Sequence, residues 1–129
     1  MRHAQYLLSV LLLGAMLATA YAAPATIEGG WSGSGIAKYR NRTDRMVCRV
    51  NFTRIEARSF RVSALCAAGD RRYEQSGIVT NVAGDRYNGW VQNTQLNQRG
   101  SVQMTQHGSR LSVSVSSGRG TANLTLSRR

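Results

Sequence analysis

The chain has 129 residues, with 17 Lys and Arg against 6 Asp and Glu, a formal net charge of +11 and only two cysteines. That length holds one domain near the lower end of the size at which a core suffices alone. The charge favours anionic partners and says nothing of fold.

The first residues read as an export leader. Met1-Arg2-His3 gives a positive start, and Tyr6 to Leu17 is an apolar run too short for a membrane span of roughly 20 residues. Ala18-Thr19-Ala20-Tyr21-Ala22 is small and A-x-A-like, so cleavage is expected before Ala23, with Tyr21 as the second choice. The expected organisation is a signal peptide over 1–22 and a single β-domain over 23–129 with no later membrane span, placed in the periplasm or secreted. Sixteen basic residues remain in that domain, and only Lys38 is lysine.

In chain order, Gly29 to Tyr39 alternates with Trp31, Gly33, Gly35 and Ala37 on one side and is predicted as the first strand. Glycines beside a tryptophan suggest a close backbone approach, or a bend where a small barrel closes. After the polar connection Arg40 to Arg45 come two alternating halves, Met46 to Thr53 and Phe60 to Cys66. If the chain folds back near Ala57, Cys48 faces Cys66, Val50 faces Ala64 and Phe52 faces Val62. Export puts those cysteines in an oxidising compartment, so a Cys48–Cys66 disulfide is expected; it would stabilise the fold by roughly 3 kcal/mol.

A turn over Ala67-Ala68-Gly69-Asp70 is expected to lead to a strand over Arg71 to Thr80, and one at Gly84-Asp85 to a strand over Arg86 to Asn93. Gln92 to Gly100 is expected as a polar loop. Three short alternating segments follow, marked by Val102 and Met104, by Leu111, Val113 and Val115, and by Ala122, Leu124 and Leu126. No stretch after the leader shows a helical stripe. The expected fold class is all-β: a small antiparallel barrel or sandwich of about eight strands with one disulfide. A membrane-spanning barrel is rejected, because eight spanning strands would consume nearly all the residues and the outward faces carry Arg, Asn, Ser and Gln.

Chemistry-bearing motifs are sparse. His107 is the one histidine beyond the leader and falls in a predicted turn, while Asp44, Asp70 and Asp85 have turn contexts of their own. With no nucleophile elbow, zinc-ligand set or EF-hand loop, the expectation is a non-enzymatic protein without cofactor or metal. The arginines are the better lead. Arg45, Arg49 and Arg61 fall on the outward face of the cysteine hairpin, and Arg54 and Arg58 flank its loop. Guanidinium forks suit phosphate and carboxylate, so these five are the candidate anion-binding residues. The partners to expect are an anionic polysaccharide, a lipid head group or an envelope protein. Nucleic acid is not expected, since export takes most of it out of reach and the aromatics sit where a β-core wants them. Solubility alone is the competing role for the arginines. Two further alternatives are a lipocalin-like binder holding an apolar ligand among Trp31, Tyr87 and Trp90, and an enzyme built on His107 or two converging acids.

The layout Gly-Gly-Trp31-Ser-Gly-Ser-Gly, Cys48-Arg49-Val50, Leu65-Cys66-Ala67 and Gly89-Trp90 resembles small exported β-domain proteins of alphaproteobacteria. The resemblance implies a periplasmic or secreted location and carries over no activity. This chain is richer in arginine than that group.

Overall fold

In the computed structural model, residues 26–129 are described; the expected leader over 1–22 lies outside them. Eight strands follow one another without a helix: β1 (Gly29–Tyr39), β2 (Arg42–Arg54), β3 (Ser59–Ala68), β4 (Arg71–Ala83), β5 (Arg86–Asn93), β6 (Gln98–His107), β7 (Arg110–Ser117) and β8 (Gly120–Arg128). Each pairs antiparallel with the next, and β8 pairs back onto β1, so the sheet is a closed barrel in simple meander order. Closure selects the barrel over the sandwich and leaves no strand edge for another chain to pair with.

The cysteine hairpin takes the register its alternation predicts. Cys48 pairs with Cys66, Val50 with Ala64 and Phe52 with Val62, while Asn51 opposite Ser63 and Thr53 opposite Arg61 face outward. The two cysteines form a disulfide across a Cα–Cα distance of 4.1 Å, a spacing close to that of directly opposed, non-hydrogen-bonded residues. Both are buried on the inner wall.

Closure rests on glycine. At Gly33 an added Cβ would lie 1.9 Å from the carbonyl oxygen of Thr125, and at Gly35 it would lie 1.7 Å from that of Asn123. The first and last strands therefore pack more closely than any side-chain-bearing residue permits. A second such approach joins β4 to β5, where a Cβ on Gly77 would meet the Trp90 carbonyl at 1.8 Å. These are the glycine kinks by which a sheet curls tightly enough to close.

Several segments differ from the sequence expectation. β2 already begins at Arg42, so the connection expected over Arg40 to Arg45 is only residues 40 and 41, and Ala67 and Ala68, expected in a turn, continue β3. The loop expected over Gln92 to Gly100 shrinks to residues 94–97, because the Asn93 side-chain oxygen accepts the amides of Gln95 (2.9 Å) and Leu96 (3.2 Å) and Asn97 adopts a positive φ. Strand β4 runs past Thr80 to Ala83 through an irregularity at Asn81, whose amide nitrogen donates to the carbonyls of Gly84 and Arg86.

The barrel is apolar inside and polar outside, the reverse of a membrane-spanning barrel. Its inner residues taper. One end is filled by Ile27, Trp31, Phe52, Phe60, Tyr87, Leu111 and Leu126. Trp31 is fully buried, donates its indole N–H to the Ile27 carbonyl at 2.7 Å and lies under the Arg128 guanidinium at 4.4 Å. Arg128 also donates to the carbonyls of Thr26 and Glu28, tying the first described residues to the last strand. Toward the other end many inward positions are small, Ala37, Ala68, Gly100, Ser117, Gly120 and Ala122, set among the larger Met46, Tyr39 and Tyr73.

Replacing Gly33 by alanine forces a backbone shift at the β1–β8 seam and is expected to cost about 3 kcal/mol or more. Gly118→Ala is the control, since nothing lies within 4 Å of its added Cβ. Thermal denaturation of the two variants checks this; equal melting temperatures would remove the seam's special role.

Candidate functional site

Where the inward residues are small, the barrel is not filled. A cavity of about 90 Å³ lies among Ala37, Met46, Cys66, Tyr73, Val91, Val115, Ala122 and Leu124. A smaller apolar void of about 40 Å³ sits deeper, against the disulfide, Val62, Val79 and Val102. Both share Cys66, Gln75, Val91, Val115 and Leu124, so they are successive levels of one interior. The cavity opens into a recess of about 240 Å³ at the mouth, lined by Tyr39, Arg42, Asp44, Arg71, Tyr73, Leu96, Gln98 and Arg119. Cavity and recess together come to about 330 Å³, near the lower end of the range for small-molecule sites.

Strand period explains who lines this site. Tyr39 continues the inward series Trp31, Gly33, Gly35, Ala37, and Tyr73 is inward at the start of β4 because Cys66, its partner across the β3–β4 ladder, is inward. Gln75, two residues on from Tyr73, is the polar member of the deeper wall. Asn93 is buried at the mouth, its side-chain oxygen committed to the β5–β6 turn. Burial, with the nearby Tyr73 hydroxyl as a lesser cause, raises the Tyr39 phenol above its ordinary value. Burial likewise raises Tyr87 at the opposite end, partly offset by Arg54.

The aromatic trio expected to hold an apolar ligand does not assemble. Tyr87, Gly89, Val91 and Asn93 occupy the inner side of β5, so Trp90, three residues from Tyr87, must point outward. It lies half-buried on the barrel's outer wall opposite Ile78, with the Arg99 guanidinium 4.0 Å above its ring. Trp31 and Tyr87 do face inward, but at the packed end, where Tyr87 meets Phe60 edge-on at 6.1 Å. The open end uses Tyr39 and Tyr73 instead. The spacing carries a sign of this: residues three apart on a strand cannot share a face.

The five candidate arginines do not converge on the cavity. Arg45, Arg49 and Arg61 are exposed on the outer wall. Arg54 belongs to the packed end, where its guanidinium donates to the Ala57 carbonyl at 3.0 Å, lies 3.7 Å from Glu28 and sits over Phe60 at 5.2 Å. Arg58 is exposed in the adjoining turn. Their outer wall is not purely cationic: Ile36 (43% exposed), Val47 (50%) and Leu65 (47%) stand among Arg45 and Arg49. The arginines at the mouth, Arg71 and Arg119, carry no distinguishing signal in the sequence, because only barrel closure brings their turns to one rim.

His107 lies exposed at the packed end, paired across the ladder with Arg110. The acids are scattered: Asp44 and Asp70 at the mouth end, Glu28, Glu56 and Asp85 at the packed end, Glu74 on the outer wall. Among the described residues no three His, Cys, Asp or Glu side chains gather in a metal-holding group.

The raised Tyr39 and Tyr87 phenols favour the neutral form in the folded state. Their contribution to stability is present in full below pH 10, the ordinary value, and is lost as pH rises through the folded-state values. Phenolate absorbance of the folded domain is therefore expected to lag that of the denatured chain, and Tyr39→Phe is expected to remove part of the lag. Coincident titration curves would contradict this.

No protein-family model matches the sequence, and no curated protein is significantly similar to it. Among solved structures the chain is similar to designed barrels. A redesigned β-barrel, mFAP0, bound to DFHBI, shares 16% identity at a TM-score of 0.70, over 78% of this chain and 97% of that one. The redesigned barrel mFAP1, also bound to DFHBI, gives 14% and 0.67 over 79% and 94%. A fluorescence-activating β-barrel designed de novo gives 12% and 0.65 over 79% and 93%. At these identities the likeness is one of fold.

Proposed function

We propose that this is an exported, non-enzymatic binding protein that holds one small molecule by its apolar part inside the mouth end of the barrel. The observation that carries it is the taper. Large side chains pack one end solid, whereas Ala37, Gly100 and Ala122 leave the other open to an apolar cavity of about 90 Å³. Apolar walls with a few polar groups at the entrance are the usual composition of a small-molecule site. A dry cavity of about 150 Å³ is known to take benzene, so this one holds a short alkyl group outright, and a single aromatic ring would extend from it into the recess at the mouth. That two barrels of this fold are described bound to DFHBI supports a small-molecule-binding role.

Toluene and phenol are suitable probes, followed by methyl NMR of the domain. Shifts are expected at Val91, Val115 and Leu124 and not at Leu111, which lines neither void. Ala122→Phe, which fills the cavity, is expected to abolish them while preserving the sheet spectrum. Shifts absent from the wild type, or retained in the filled variant, would defeat the proposal.

A second role is favoured by the outer wall, where Arg45 and Arg49 alternate with exposed Ile36, Val47 and Leu65. Cations interleaved with apolar side chains suit a surface that is both anionic and partly apolar, such as a phospholipid headgroup layer. Co-sedimentation with phosphatidylglycerol vesicles is expected at low salt and not at high salt, where charges are screened within a few Å. The double variant Arg45→Gln/Arg49→Gln is expected to bind several-fold less. Equal binding to phosphatidylcholine vesicles would remove this role.

A further inference from the structure

The rim of the open end is rich in arginine. Going round the barrel, the turn between β7 and β8 brings Arg119, the turn between β1 and β2 brings Arg40 and Arg42, and the turn between β3 and β4 is followed by Arg71. The fourth turn, 94–97 between β5 and β6, presents Leu96 and is followed by Arg99, which lines the cavity wall with its guanidinium held over the outward Trp90 ring. The rim therefore has a cationic arc over three consecutive connections, while the cation after the fourth is engaged by an aromatic ring.

The arc is short of acids. Asp44 is committed to Arg42, oxygen to guanidinium nitrogen at 2.9 Å, and Asp70 is exposed in the β3–β4 turn. Arg71 and Arg119 make no ion pair with any described residue, yet both line the recess that leads into the cavity, beside the inward phenols Tyr39 and Tyr73. Two guanidiniums and two phenols at the entrance of an apolar cavity form a donor-rich collar. An anionic group at the collar would be held by charge-assisted hydrogen bonds, with no carboxylate there left unpaired to repel it except Asp70. A neutral molecule of the same shape would gain only the apolar burial.

We infer that the ligand of this barrel is a small organic anion, bound with its ring or short alkyl part in the cavity and its charged group at Arg71 and Arg119. This rests on the proposal that the interior binds a small apolar group, and it names the chemical class. Carboxylate and phosphate share the chemistry the collar offers, and the cavity limits the apolar part to about the size of one ring.

The test uses the folded domain and three probes of one skeleton: benzoate, phenyl phosphate and benzyl alcohol, titrated calorimetrically at low salt. Both anions, or one of them, are expected to bind at least about tenfold more tightly than the alcohol, and the tighter anion identifies which group the collar fits. In Arg71→Gln/Arg119→Gln the advantage is expected to fall to threefold or less, with benzyl alcohol unchanged. Arg49→Gln/Arg61→Gln, on the outer wall, controls for the overall positive field and is expected to keep the advantage. Benzyl alcohol binding as tightly as both anions would overturn the anion inference and leave the apolar site standing. An advantage lost equally in the outer-wall control would overturn it too, as attraction to net charge. Failure of all three probes would count against the interior site itself.

Discussion

Eight strands in meander order leave two raw edges unless the first and last can meet, and here they meet because β1 carries no side chain at residues 33 and 35. The carbonyls of Asn123 and Thr125 occupy the space where a Cβ would stand. Every other property of the molecule follows from that contact. Without it the inner walls would not face one another, the aromatic plug would have nothing to plug, and the four turns of the open end would not share a rim. A free edge, with its row of unpaired N–H and C=O groups, would also be an invitation to strand addition.

Closure and filling are separate matters. An eight-stranded barrel has an interior about wide enough for side chains to fill. Whether it is solid or hollow at a given level depends on the sizes of the residues that closure stacks there. At the end holding Trp31, Phe52, Phe60 and Leu111 those residues are large. At the end holding Ala37, Gly100 and Ala122 small residues leave gaps between Met46, Tyr39 and Tyr73, and the disulfide forms part of the wall between the two levels. Stability is concentrated at one end and capacity at the other, which lets the binding region be under-packed without loosening the whole sheet.

Much of this is legible in the chain itself. Period-two alternation marks the eight strands, and the Met46–Cys66 stretch sets its own register down to the opposing cysteines, because a one-residue slip would turn one of the two sulfurs outward and part the pair. The glycines beside Trp31 mark the seam. Loop length between β5 and β6 is not legible, because a polar Gln/Asn run reads as loop, whereas Asn93 folds back on the two amides that follow and starts a tight turn. The site is harder. Arginine density points to the cysteine hairpin, where the residues are adjacent in sequence, and away from Arg71 and Arg119, which are separated by 48 positions and meet only through the topology. Residue type alone places Trp90 in the interior, against the face that Tyr87 already claims.

The Arg128 contacts to Thr26 and Glu28 have one more effect. They bring the beginning and the end of the described chain together at the packed pole, diametrically away from the mouth. Whatever is attached at either end, be it a fused label, a solid support or a neighbouring module, hangs from the blind side. Orientation is thereby settled by the fold: a tethered molecule presents its entrance outward.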